Sequence, residues 1–249
     1  MHMRIYSFFT FIICLKVVFG QTKTVALYVE KGKNGKFGLV DMEKVVHVPF
    51  KYDAINKERC NFSDRYYFMT KLDSLFGMID LKGKIIKEPF YDTIKLMSQA
   101  RDWIITEKDS LIGLIEFIKS NDENNGSLRE LIKPLYEKIY YPAGEGMATG
   151  FIHIFKGGKM GLVNEKTAKE ITGMRYDKVD DYYVYRTLNY ITASENGKWG
   201  VLDLFGNKII PCKYDEIIDM EGEYDRLDYV EVLLGEKSFK INRLGKEIN

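Results

Sequence analysis

Five tyrosine–acid pairs are the residues whose types and spacing could do chemistry in this 249-residue chain: Tyr52-Asp53, Tyr91-Asp92, Tyr136-Glu137, Tyr176-Asp177 and Tyr214-Asp215. Each acid is followed two residues on by Ile or Val. Rings stack on sugars and carboxylates accept their hydroxyls, so an array of such pairs suits a sugar- or peptide-binding surface. Paired carboxylates also run glycoside hydrolysis, one as acid and the other as base or nucleophile. The same pairs serve structure equally well, with the ring packed in a sheet and the acid satisfying turn amides. Their presence in every full copy of a repeat favours structure, because one asymmetric ligand needs an asymmetric site. The candidate binding residues are therefore the departures from the pattern: Tyr182, Tyr183, Tyr185 and Arg186 in one cluster, Tyr66 and Tyr67 in another, and an insertion at 117–129.

Other reactive groups are sparse. Beyond the first twenty residues His47 and His153 are the histidines, and they stand in different repeats with no partner at metal-ligand spacing. No metal site and no cofactor is expected. Gly144 to Gly150 is glycine-rich like a dinucleotide loop, but it precedes a strand and lacks the surrounding βαβ unit. Gly32 to Gly38 reads as a hairpin turn plus a strand glycine. There is no Gly-x-Ser-x-Gly elbow. No catalytic constellation stands out, so a non-enzymatic binding or scaffold protein is the first reading. A cell-envelope hydrolase working through loop carboxylates is the second.

The elements that position these residues repeat with a period of about 39. An apolar residue and a glycine recur as Phe37-Gly38, Phe76-Gly77, Ile112-Gly113, Met160-Gly161 and Trp199-Gly200. The first position asks only for apolar volume and reads as a packing slot. The glycine, set inside a strand, marks a bulge or the close approach of another backbone. Two apolar residues follow, such as Met78-Ile79, and successive strand residues face opposite ways, so the strand is covered on both sides. Asp80 to Gly83 and Asp203 to Gly206 then have the Asp-x-x-Gly form of a type I turn, which Asp41 to Lys44 fits with a poorer last residue. A short strand comes next, with Pro49, Pro89, Pro134 and Pro211 at its end or on an edge. Alternation in the segment after it puts each Tyr on one face and its acid and aliphatic on the other. Five full units and a degenerate sixth result, about 25–60, 61–98, 99–142, 143–182, 183–222 and 223–249. The sixth keeps the turn, Asn242 to Gly245, but has Ser238 and Phe239 in the slot and glycine positions, as suits a terminal repeat.

Lys198-Trp-Gly-Val-Leu-Asp203, with Gly206-x-x-Ile-Ile-Pro211 and Lys213-Tyr-Asp215 behind it, resembles the bacterial WG repeat. The resemblance extends from about Lys33 to the C-terminus and implies an all-β tandem-repeat protein of a kind that is often exported. It brings no catalytic residues with it. The units make short antiparallel sheets, arranged as a propeller-like ring or as an open curved array. The absence of a spare N-terminal strand to complete the last unit leaves both possible.

The first twenty residues differ in kind. Arg4 is followed by an apolar run from Ile5 to Leu15, with Val18 and Gly20 placed for a cut before Gln21. That is a secretory signal layout, too short for a spanning helix. An uncleaved anchor ranks second, and a lipoprotein at Cys14 third, since Phe11-Ile12-Ile13 is a poor lipobox. The mature chain, 21–249, then carries 35 basic and 36 acidic residues. A near-neutral surface argues against nucleic acid. The expectation is an exported protein, periplasmic, cell-surface or secreted, with no membrane span after cleavage and with a protein or glycan of the envelope as partner. Cys60 and Cys212 occupy different repeat positions and read as separate thiols.

Overall fold

The computed structural model describes residues 25–59, 66–96, 103–118, 127–141, 150–181, 190–223, 226–242 and 244–248. The expected leader, the tyrosine cluster at 182–186, the 119–126 part of the insertion, Cys60 and Gly144 lie outside these. Within them every regular element is a strand, in six small antiparallel sheets. Sheet I holds β1 (Tyr28–Lys31), β2 (Phe37–Val40) and β3 (Val46–Tyr52); sheet II holds β4 (Ala54–Arg59), β5 (Tyr66–Leu72), β6 (Leu75–Ile79) and β7 (Ile85–Tyr91). Sheet III holds β8 (Thr93–Leu96), β9 (Trp103–Lys108), β10 (Leu111–Ile118) and β11 (Ser127–Tyr136). Sheet IV holds β12 (Lys138–Tyr140), β13 (Phe151–Lys156) and β14 (Lys159–Asn164). Sheet V holds β15 (Lys178–Asp180), β16 (Tyr190–Glu195), β17 (Lys198–Asp203) and β18 (Lys208–Tyr214). Sheet VI holds β19 (Glu216–Glu223), β20 (Arg226–Leu234), β21 (Lys237–Ile241) and β22 (Glu247–Ile248). The array is open and does not close on itself.

The repeat has the expected content and a shifted phase. One residue, the acid of the tyrosine–acid pair, separates the last strand of sheets I, II, III and V from the first strand of the next sheet, whereas β14 of sheet IV is followed by an irregular segment that ends on its own acid, Asp177. Units bounded at 60, 98, 142, 182 and 222 therefore cut each sheet after its first strand, whereas the sheets change at 53, 92, 137, 177 and 215.

The glycine both marks a bulge and admits a backbone. Phe37 faces Tyr52 and Leu39 faces Val48, so the outer strand fits four residues into a two-residue step. The step recurs at Phe76/Met78, Ile112/Leu114 and Trp199/Val201. The crowded carbonyl then sits over the glycine. An added Cβ would lie 2.5 Å from Val48 O at Gly38, 2.7 Å from Lys87 O at Gly77, 2.6 Å from Ile132 O at Gly113 and 2.5 Å from Ile210 O at Gly200. The prolines lie within these bulged edge strands and do not end them: Pro49 in β3, Pro89 in β7, Pro134 in β11 and Pro211 in β18.

The apolar pair after each glycine builds two cores at once. Ile79 joins the cluster shared with sheet I, and Met78 the cluster shared with sheet III. Ile115 and Leu114, Val163 and Leu162, and Leu202 and Val201 divide in the same way between the sheets before and after. Five interlayer cores result, and each fully buried aliphatic contributes roughly 1.5–3 kcal/mol. In sheet VI the outward member of the pair is Lys240, exposed, with its ammonium 4.2 Å from the ring centre of Tyr229. The degenerate unit is thus a polar cap. In the slot before the glycine, Phe37, Phe76, Ile112, Met160 and Trp199 are half-buried, with Phe37 and Met160 packed against the interlayer cores. Each lies directly across the ladder from the repeat tyrosine of its own sheet.

The turns form as expected. Asp80 Oδ1 accepts the amides of Lys82 and Lys84, both at 2.9 Å, and Asp203 and Asn242 do the same in their turns. Gly83, Gly206 and Gly245 have φ of 84°, 85° and 74°, whereas Lys44 holds 63° with a side chain in the way. Replacing Lys44 with Gly should raise stability by about 0.5–1 kcal/mol, read by denaturant melts. Gly200→Ala should lower it by about 3 kcal/mol or more, because the new methyl meets a backbone carbonyl. A neutral Gly200→Ala would remove the bulge argument.

Candidate functional site

The tyrosine–acid pairs are built into the seams between sheets. Tyr52, Tyr91, Tyr176 and Tyr214 are buried, each in the core between its own sheet and the next. The aliphatic three residues on enters that same core from the other wall, as Ile55 does opposite Tyr52. Strict alternation would have sent the two to opposite faces. It fails because the chain bends at the acid and changes sheet, so the alternation restarts. The hydroxyl reaches forward: Tyr52 donates to Glu88 at 3.2 Å, and Tyr91 to Glu130 at 2.8 Å. Burial, then the Glu130 carboxylate, pushes the Tyr91 phenol far above its ordinary value.

The acid spans the same seam. Its amide donates to a carbonyl of the next sheet's second strand, from Asp53 to Lys71 O, Asp92 to Glu107 O, Glu137 to Phe155 O, Asp177 to Ser194 O and Asp215 to Leu233 O, at 2.8–2.9 Å. Its carboxylate takes an amide of the next hairpin turn: Asp73 N at 3.0 Å, Asp109 N at 2.7 Å, Gly157 N at 3.0 Å, Gly197 N at 2.9 Å and Gly235 N at 2.7 Å. Four of the five also hold a lysine: Lys36 on Asp53, Lys108 on Asp92, Lys159 on Asp177 and Lys198 on Asp215. Lysine hydrogen bonds hold the carboxyls of Asp53, Asp177 and Asp215 below the usual range, and for Asp92 the Asp109 amide does most. Such acids stay ionised and donate no proton near neutrality.

The symmetry breaks between sheets III and IV. In place of a regular fourth strand, sheet IV has an irregular segment touching β14 through two isolated bridges, Met160 with Tyr176 and Val163 with Glu170. A cleft of about 280 Å³ opens there, lined by Glu130, Lys133, Tyr136, Val163, Ala168 and Glu170 among others. Tyr136 is the repeat tyrosine left half-buried, its hydroxyl 3.5 Å from Glu170. The Tyr136 hydroxyl and the Glu170 carboxylate meet here with Lys133 on the same wall, whereas the Glu130 carboxylate is held in the preceding seam by Tyr91 and Lys87. The sequence signal was the pair of irregular spacings flanking it, 21 residues from Glu116 to Glu137 and 13 from Asn164 to Asp177.

A second departure follows at sheets IV and V. His153 Nε2 lies 3.2 Å from Asp181 Oδ1, both buried, with the Tyr140 ring edge-on at 5.8 Å. Tyr141 donates to Glu165 at 2.8 Å beside Trp103. Nothing in the sequence paired His153 with Asp181, which stand in different sheets 28 residues apart. His47 instead meets Asp41 in its own turn, at 2.9 Å. Of the other candidates, Tyr67 is buried in the core of sheets II and III, 6.0 Å from Phe117, and so presents no free face. Tyr66 is half-buried under the ammonium of Lys57. Burial raises the Cys212 thiol above its usual value. Among the described residues no three His, Cys, Asp or Glu side chains gather as metal ligands, and no helix is long and apolar enough to cross a membrane.

Fold and seams together define a class: an all-β stack in which one signature ties each sheet to the next. Residues 199–224 match the family model of the WG containing repeat, so sheet V and its exit carry the repeat that the sequence resembled. The register of that unit recurs in sheets I, II and III. No curated protein matches the chain. Similar solved structures include the dihydro-heme d1 dehydrogenase NirN in complex with DHE, at 10% identity and TM-score 0.27, covering 89% of this chain and 53% of that one. Hsv2 of Kluyvelomyces marxianus aligns at 9% identity and TM-score 0.28, covering 90% and 75%. A eukaryotic initiation factor aligns at 9% and 0.24, covering 92% and 62%. The chain spans about half the length of the first, and likenesses this distant carry nothing about function.

The depressed carboxyls set the acid limit of the fold. Their contribution is complete above the unfolded value of about 4 and is lost as pH falls through the lower folded value. Melting temperature should therefore be level from about pH 7 to 5 and fall below about 4, and Asp92→Asn should flatten that fall. A rise in melting temperature on acidification would refute the assignment. Tyr91→Phe should cost about 1–2 kcal/mol through the lost bond to Glu130.

Proposed function

We propose that the protein is a non-catalytic binding or scaffold module that engages a protein or glycan of the cell envelope, with the cleft between sheets III and IV as its contact. The observation that carries this reading is the fate of the repeated chemistry. The junction acids are engaged by turn amides and the other repeat tyrosines by interlayer cores, whereas Tyr136 is left half-buried beside Glu170, with Lys133 on the same cleft wall. Half-exposed tyrosine with a carboxylate suits a sugar face or a peptide with basic groups. The protein is exported, residues 1–20 being removed as a signal.

Protein purified from envelope should begin at Gln21 by N-terminal sequencing. The immobilised mature chain should capture a partner from envelope extract or a glycan array, and Glu170→Gln with Lys133→Ala should reduce capture about tenfold with the melting temperature held. Turnover of model glycosides, esters or peptides, abolished by alanine at a single carboxylate, would overturn the reading in favour of a hydrolase. The buried His153–Asp181 pair is where such an activity would be sought first.

A further inference from the structure

Among the described residues, sheet I has no counterpart of the strand that opens sheets II to VI. In each of those, the first strand pairs with the second and begins just after the junction acid. In sheet I the second strand's counterpart is β1, and among the described residues nothing pairs with its outer edge. The register identifies the docking groups left behind. Lys31 pairs with Phe37 as Lys71 pairs with Phe76 and Ser194 with Trp199. The Lys31 carbonyl is therefore the counterpart of those that receive the junction amide in the other sheets. Edge strands of this kind, without proline or bulge, are templates for an added strand. Beside it a cleft of about 410 Å³ is lined by Leu27, Val29, Lys57, Phe68, Leu81 and Lys82. Among the described residues neither the Lys57 nor the Lys82 ammonium is in an ion pair.

We infer that the outer edge of β1 binds an extended segment of a partner polypeptide, with an acid, any residue and an aliphatic in succession, as a fourth strand of sheet I. The five internal strands that fill the equivalent place all carry this pattern: Asp53-x-Ile55, Asp92-x-Ile94, Glu137-x-Ile139, Asp177-x-Val179 and Asp215-x-Ile217. The acid would take the hairpin amide at Lys33, the counterpart of Asp73 and Asp109, beside Lys31 at the start of that turn. Side chains turned toward sheet II would meet the apolar wall of Phe68 and Leu81, and a second acid would meet Lys57 and Lys82. Residues 1–29 hold no acid-x-aliphatic sequence of this kind, since the first Asp or Glu is Glu30. A second copy has no spare one either, because each of its five is paired within its own sheet. The edge is separate from the cleft of sheets III and IV, so either proposal can fail alone.

The test uses the mature chain and a synthetic peptide of the sequence of residues 213–220, with a scrambled control. Expected are saturable binding by fluorescence anisotropy and slowed amide exchange at residues 28–31. Asn in place of the peptide's first Asp should weaken binding about tenfold. Val29→Pro, tolerated at a strand edge, should abolish binding while the melting temperature is kept. Lys57→Glu with Lys82→Glu should also weaken it. Equal binding of the scrambled peptide, protection at β20 in place of β1, or no binding at millimolar peptide would overturn the inference. So would a dimer lost on Val29→Pro, which would make a second copy the occupant. Blocking of the peptide by residues 1–20 in the uncleaved chain would instead assign the edge to the chain's own leader and overturn it too.

Discussion

At four of its five junctions the chain has one residue in which to leave a sheet and enter the next, and that residue is an acid; at the fifth, an irregular segment after β14 ends on the same acid, Asp177. A strand of six or seven residues cannot bury both its faces alone, and sheets of three or four strands are marginal by themselves. Stability has to come from stacking. The single-residue bend supplies it by bringing the last strand of one sheet and the first of the next into contact as the two walls of one core. The carboxylate then fixes the bend from the far side by holding an amide in the following hairpin, so the position of each sheet is referred to its neighbour. Tyrosine ahead of the acid and an aliphatic behind it fill the corner that the bend creates. One local signature thereby sets turn, seam and core together.

The same constraint explains the rest of the unit. A strand with a core on each side needs two apolar residues in succession, and Met78-Ile79 and Val201-Leu202 supply them. The outer strand must crowd inward to bring its tyrosine to the seam, which is why it bulges and why only glycine fits beneath its carbonyl. In sheet VI the outward residue of the pair is the exposed Lys240. The repeat therefore has a direction, and its two ends differ among the described residues: sheet VI turns Lys240 outward, while nothing pairs with the outer edge of β1 in sheet I.

Much of this was legible because each rule acts over a few residues. Asp-x-x-Gly turns, the strand glycine and the doubled aliphatics all report local conformation or local burial, and the fold has them where they were read. The half-burial of the Trp199 slot was less legible, because volume at a position says nothing of whether it lies at the centre or the rim of a core. The two-wall role of Tyr52 and Ile55 was hidden for a different reason: alternation assumes a continuous strand, and nothing in Tyr-Asp-Ala-Ile announces the bend. Contacts across sheets were the least legible. His153 and Asp181 meet only because the seam between sheets IV and V stacks one element on another.

A repeat whose chemistry is used up in holding itself together leaves ligand contacts only where the rule relaxes. Sheet IV relaxes it by giving up the regular fourth strand, and the consequence is local and physical. Without the ladder that would cover it, Tyr136 keeps part of its ring at the surface while Tyr91 and Tyr176, one seam to either side, are closed off. In sheet I, among the described residues, a row of ladder groups used in every other sheet stands at an edge. Both departures reuse parts already optimised for packing: the same tyrosine, the same acid-accepting hairpin. That economy is why the five identical pairs, which first suggested a binding array, are better understood as the frame, and why the two places where the frame is incomplete carry the proposals made for this protein.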